Sequence, residues 1–178
     1  MLRIRIPVLL ACVALTAVPA FAAGPDTWVP VRWQGGPLEL QRRTRDATAP
    51  ATPALRETLE QWYDLATLDL LRGTPINCLL VTWSAGGEPA TERAQQQLVA
   101  AYARAARARG IAVLGLVHSP ATPASFLEPA IDAGLDGLVL EGAFPDAERL
   151  AAEVRQALRN RASAAVVVVS AARAQLGS

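Results

Sequence analysis

Runs of six to eight apolar residues recur along the chain, and between them the apolar positions fall three or four apart. Unbroken apolar runs are the pattern of strands buried on both faces, and the wider spacing is that of helices with one buried stripe. The runs at 76–83, 111–117, 136–141 and 164–169 are read as strands. Leu55, Leu59 and Trp62 give one helix, and Leu68 and Leu71 a shorter one that Gly73 ends. Thr91 is placed to cap a long helix with a stripe of Leu98, Tyr102, Ala105 and Ala106, closed at Gly110. Thr122-Pro123 opens the next, with a break expected at Pro129 and an end at Gly134. Asp146 caps a helix with Leu150, Val154, Ala157 and Leu158 on one side. Upstream, Trp28, Val29, Val31 and Trp33 suggest a short strand, followed by a second short apolar piece, Leu38-Glu39-Leu40. Residues 44–53 are mostly Ala, Thr and Pro with few large side chains, and read as a linker.

Strands alternating with helices imply βαβ crossovers and a parallel sheet, so the fold class is α/β. Two architectures share this rhythm. One is a partial or truncated (β/α)8 barrel, because a complete one needs roughly 250 residues, more than this chain holds. The other is a five-stranded open doubly wound sheet whose first strand comes from the Trp28 or Leu38 segment. The last strand is followed only by a short stub, 171–178, which favours the partial barrel.

The first residues change the organisation. Arg3 and Arg5 precede an apolar run from Ile6 to Val18, and Ala20-Phe21-Ala22 has the small-x-small form of an export cleavage site. The run is shorter than the roughly 20 residues of a membrane span. Residues 1–22 are therefore read as a signal peptide, 23–53 as an irregular segment and linker, and 54–178 as the βα-repeat domain. The expected location is periplasmic or extracellular, with no membrane attachment after cleavage.

Composition excludes several chemistries. The chain is 52% hydrophobic and 19% charged with a formal net charge of +1, and cleavage after Ala22 would remove two arginines. No basic field remains for nucleic acid. All 17 basic residues are arginine. A Schiff-base lysine and a phosphate loop built on lysine are therefore ruled out. Gly86-Gly87 lacks the Gly-x-Gly-x-x-Gly spacing of a dinucleotide site. One His and two Cys offer little for a transition metal, so no cofactor and no metal are expected. Cys78, inside an apolar run, reads as a small core residue. Arg104, Arg107 and Arg109 read as the solvated face of their helix.

The segment Trp62-Tyr63-Asp64 through Gly73-Thr74-Pro75-Ile76-Asn77 resembles the lead-in to a barrel in secreted bacterial proteins of the glycoside-hydrolase-like (β/α)8 class. Val81-Thr82-Trp83 and the turn Ala133-Gly134-Leu135-Asp136-Gly137 share the resemblance, which extends over about residues 54–170. It implies a carbohydrate-active domain, with a glycan or other small polar molecule as ligand.

Ligands of parallel sheets sit at the carboxyl ends of the strands. Those ends are Trp83-Ser84, His118-Ser119, Glu141-Gly142 and Ser170. Glu141, flanked by Leu140 and Phe144, is the expected catalytic residue, a carboxylate whose pKa apolar neighbours would raise for acid or base work. Trp83 offers a face for a sugar ring. His118, Ser84 and Ser119 complete the expected substrate site. Sugar hydrolysis normally needs a second carboxylate, and the pattern supplies none at an equivalent position. A non-catalytic periplasmic binding or scaffold domain is therefore the alternative.

Overall fold

The computed structural model describes residues 25–45, 51–159 and 166–170, with the side chains of Pro25, Arg159 and the last strand left aside. The leader read at 1–22 and the stub at 171–178 lie outside the described residues, as do residues 46–50 of the 44–53 linker.

Five strands form one sheet in the order β1 (Pro30–Trp33), β2 (Cys78–Ser84), β3 (Ala112–His118), β4 (Gly137–Glu141) and β5 (Val166–Ser170). Every neighbouring pair is parallel. Helices α1 (Pro37–Thr44) and α2 (Pro53–Gln61) and a 3-10 helix (Leu65–Leu71) lie between β1 and β2. Then α3 (Pro89–Arg107), α4 (Pro123–Ala133) and α5 (Ala147–Arg159) each join one strand to the next. The fold is α/β, built of parallel βα units. The strand order never reverses, whereas a doubly wound sheet reverses at its switch point. The doubly wound order of that alternative is thereby corrected, while its five strands, the first from the Trp28 segment, are as observed. The short strand expected near Trp28–Trp33 is β1, while Leu38-Glu39-Leu40, in the segment read as irregular, is helical because Pro37 opens a turn there.

Sequential right-handed crossovers place the helices on one face of the sheet. On that face Leu79, Val81, Trp83, Val113, Leu138 and Leu140 pack in one core with Val99, Tyr102, Phe126 and Val154 of the helices. The other face is thinner. Cys78, Ala112, Leu114, Leu116 and Val139 cluster there, covered by Trp28 and Leu80. Cys78 is a buried free thiol, as its apolar setting suggested. No helix among the described residues is long and apolar enough to cross a membrane.

The helices settle two local expectations differently. The long helix starts at Pro89, before Thr91, because Glu92 Oε1 accepts from the backbone N–H groups of Ala85 (2.9 Å) and Gly87 (2.8 Å) and fastens the loop. α4 runs through Pro129 without a break. The carbonyl that Pro129 leaves without a helical donor is that of Ser125, and Gln96 Nε2 of α3 donates to it at 2.8 Å.

Gly115 on β3 is tightly enclosed by the neighbouring strands and the turn after α4. A Cβ there would stand 2.9 Å from side-chain atoms of Leu135, Leu138 and Trp83. Gly115→Ala should therefore destabilise the fold by about 1–3 kcal/mol through overpacking, read as a lower urea midpoint with an unchanged slope.

Candidate functional site

Alternation along each strand decides which side chains share a face. Arg32, Leu80, Thr82, Leu116, His118, Val139 and Glu141 fall on the face away from the helix core, the last residues of β3 and β4 at its carboxyl end. His118 and Glu141 are register partners on adjacent strands. That juxtaposition unites two of the residues singled out in the sequence.

A third group reaches them from the far side. Arg32 on β1 donates from Nη1 to Glu141 Oε2 (3.0 Å) and from Nη2 to Glu141 Oε1 (2.7 Å), a two-pronged bridge. The strands involved are three spacings apart, about 14 Å along a flat sheet. Arg32 is level with Leu80, Leu114 and Gly137, while Glu141 lies further along β4. The bridge closes because the sheet curves concavely toward this face and its strands are tilted.

A fourth group is buried beneath. Gly36 (φ +85°) turns the chain from β1 into α1, against Gln95, with no room for a Cβ. Gln95 Oε1 accepts from the backbone N–H of Leu38 (3.2 Å), and Gln95 Nε2 donates to Thr82 O (2.8 Å). So anchored, α1 carries Glu39, 1% exposed, toward the same end of the sheet. Arg42 Nε donates to Glu39 Oε2 (3.2 Å), Arg43 Nε to Glu39 Oε1 (2.8 Å), and Thr82 Oγ1 to Glu39 Oε2 (3.5 Å).

These charges set the protonation of the pair. Arg32's hydrogen bonds hold the Glu141 carboxyl below its ordinary 4.5, against a smaller opposing effect of burial, and the charges of Arg32, His118 and Arg42 add to the lowering. Glu141 is an ionised carboxylate, and the expected raised pKa of a general acid is corrected: the flanking apolar residues matter less than an arginine three strands away. Burial, and then the charge of Arg42, hold His118 below its ordinary 6.5, outweighing the attraction of Glu141. Neutral His118 places Nδ1 3.6 Å from Glu141 Oε2, a contact without a hydrogen bond. Its Nε2 is buried and has no hydrogen-bond partner among the described residues.

The other expected residues sit elsewhere. Trp83 is fully buried on the helix side, its Nε1 donating to Phe126 O at 2.9 Å, so it offers no face to a ligand. Its parity with Leu79 and Val81 is the signal that marks it as core. Ser84 follows a register shift in β2, and its buried Oγ lies 3.4 Å from Ser125 Oγ of α4. Ser119 Oγ donates to Ala143 O at 2.7 Å, and Ser119 N to Glu141 O at 3.2 Å, which ties the loop after β3 to the loop after β4. Neither serine bonds His118, so no nucleophilic pair forms among the described residues. No group of three His, Cys, Asp or Glu among the described residues could hold a metal. Asp136 accepts from Val113 N at 2.8 Å at the opposite end of the sheet.

The pH dependence of stability follows from the two shifts. A histidine with a depressed folded pKa binds its proton more readily when unfolded. Stability should therefore be level above pH 6.5 and fall as pH drops from 6.5 through the folded value of His118. Glu141 contributes stability above 4.5 that is lost as pH falls through its own depressed value. His118→Gln should flatten the first segment and slightly weaken the second, to which its charge contributes, and Arg32→Gln should weaken the second most. Urea midpoints measured between pH 3 and 8 check both, and an unchanged profile in both variants would refute the assignment. Compared with protein-family models, curated proteins and solved structures, the chain matches none.

Proposed function

We propose that this chain is an exported carbohydrate-active domain of barrel type, whose sugar site is the mouth formed by Arg32, Glu39, Arg42, His118 and Glu141. The observation that carries the reading is the convergence of Arg32, His118 and Glu141 from three strands at one carboxyl end. An ionised carboxylate, a guanidinium fork and a neutral imidazole side by side supply acceptors and donors for the paired hydroxyls of a sugar ring. The stagger of the Arg32–Glu141 bridge supports the barrel part. It amounts to roughly one residue per strand, the offset that tilt produces in an eight-stranded wall of shear 8.

Recognition fits these groups better than hydrolysis led by Glu141. A general acid must carry a proton near neutral pH, and Glu141, beside Arg32, does not. The leader read from Arg3 to Ala22 supports export, and a glycan is the partner such a location makes available.

Nuclear magnetic resonance titration with a panel of mono- and oligosaccharides tests the proposal. Binding should move the backbone amides of His118, Ser119, Glu141 and Gly142 first. Glu141→Ala should weaken it about tenfold, the effect of losing a charged hydrogen-bond acceptor. The fold should lose no more than about 1 kcal/mol, because the ion pair is exposed. A panel that moves none of these amides would sink the reading.

A further inference from the structure

The charges at the mouth are unequal. Arg32, Arg42 and Arg43 converge there on only two carboxylates, Glu39 and Glu141. Glu39 is buried and takes one bond from each of Arg42 and Arg43, both through Nε. A guanidinium has five N–H donors in a fixed fork, and a single bond through Nε leaves its Nη edge aimed elsewhere. The Arg42 and Arg32 side chains are 38% and 48% exposed, so both guanidiniums can meet a ligand. Arg42 donates to the same Glu39 oxygen that accepts from Thr82, and Thr82 lies on the sheet face that carries His118 and Glu141.

We propose that the ligand of this mouth is a carboxylated sugar, of the uronate class, whose carboxylate pairs with Arg42 while its ring hydroxyls face Glu141 and His118. This inference rests on the sugar-site reading and narrows it. A neutral sugar would leave the Arg42 Nη edge without a charged partner. A carboxylate matches the fork of a guanidinium in shape and charge. Arg32 is already matched by Glu141, and of the two arginines on Glu39 it is Arg42 that shares Oε2 with Thr82 of the sheet face, so Arg42 is the group that selects. No bond forms or breaks on binding, and the imidazole stays neutral.

The experiment compares sodium glucuronate, glucose and sodium acetate by NMR titration of the full chain at 20 mM and at 500 mM NaCl. Glucuronate should bind about tenfold more tightly than glucose at low salt, the gain from one charge-assisted contact. That preference should shrink at high salt, because exposed charges are screened. Arg42→Gln should abolish it. The glutamine amide can still donate to Glu39, so the variant keeps one contact to the buried carboxylate, and a thermal melt reports whether it folds. If the variant unfolds, the salt dependence of the wild-type preference decides alone. Equal binding of glucose and glucuronate overturns the inference and leaves the sugar site standing. Acetate binding as tightly as glucuronate overturns it in favour of a plain anion site. Binding of none of the three overturns the sugar site as well.

Discussion

Strand order is the constraint from which the rest of this structure follows. Each strand is parallel to its predecessor and lies beside it. The crossovers then place the helices on a single face. That face receives large apolar side chains from both layers and needs nothing else. Among the described residues the helix core packs on that face alone. The amino-terminal half of the opposite face is covered by small and branched residues under Trp28. Its carboxyl-terminal half is polar, and there the curved sheet brings β1 and β4 near enough for Arg32 to grip Glu141. The polar groups gathered there from distant strands thus sit where a parallel sheet ordinarily binds its ligand.

Two buried polar residues hold that mouth in shape. Gln95 serves the backbone of α1 and β2 at once, and it needs a glycine at position 36 to come close enough. Removing its amide would leave a buried N–H and a buried C=O unpaired, each costing about 1–3 kcal/mol. Glu39 is the second. Both its oxygens are satisfied by arginines of its own helix, three and four residues on, so the buried charge and its compensation arrive on one element. The arginines are consequently fixed near the mouth by a contact that uses only part of their bonding capacity.

How much of this was legible depended on range. The strands at 76–83, 111–117, 136–141 and 164–169 were plain, because a short, continuous apolar run bounded by turn residues fits little besides a strand buried on both faces. His118 and Glu141 were found from strand ends alone, and they are register partners. Trp83 was misplaced by the same reasoning, since a strand end has two faces and only parity with Leu79 and Val81 tells them apart. Helix α1 was hidden because Leu38-Glu39-Leu40 is too short to show a period. Arg32 and Glu39 were invisible as site residues for a deeper reason. Arg32 meets Glu141 across 109 positions of sequence, and the meeting depends on the curvature of the sheet, which no local pattern encodes.

The Arg32 bridge also sets the protonation of the groups at the mouth. Burial alone would push a carboxyl toward its neutral, acidic form, and the sequence around Glu141 invites that expectation. The bidentate guanidinium reverses it, because two charge-assisted hydrogen bonds to the ionised form outweigh partial desolvation. The neighbouring imidazole is driven the other way, and loses its proton to burial and to Arg42. A carboxylate that stays charged beside an imidazole that stays neutral has no acidic proton to deliver near neutral pH. Such a pair is suited to accept hydrogen bonds from hydroxyls, with the proton-rich guanidiniums around it supplying the donors. The same arginine that makes Glu141 a poor acid keeps it a hydrogen-bond acceptor, and this is why the proposal is recognition and not acid catalysis.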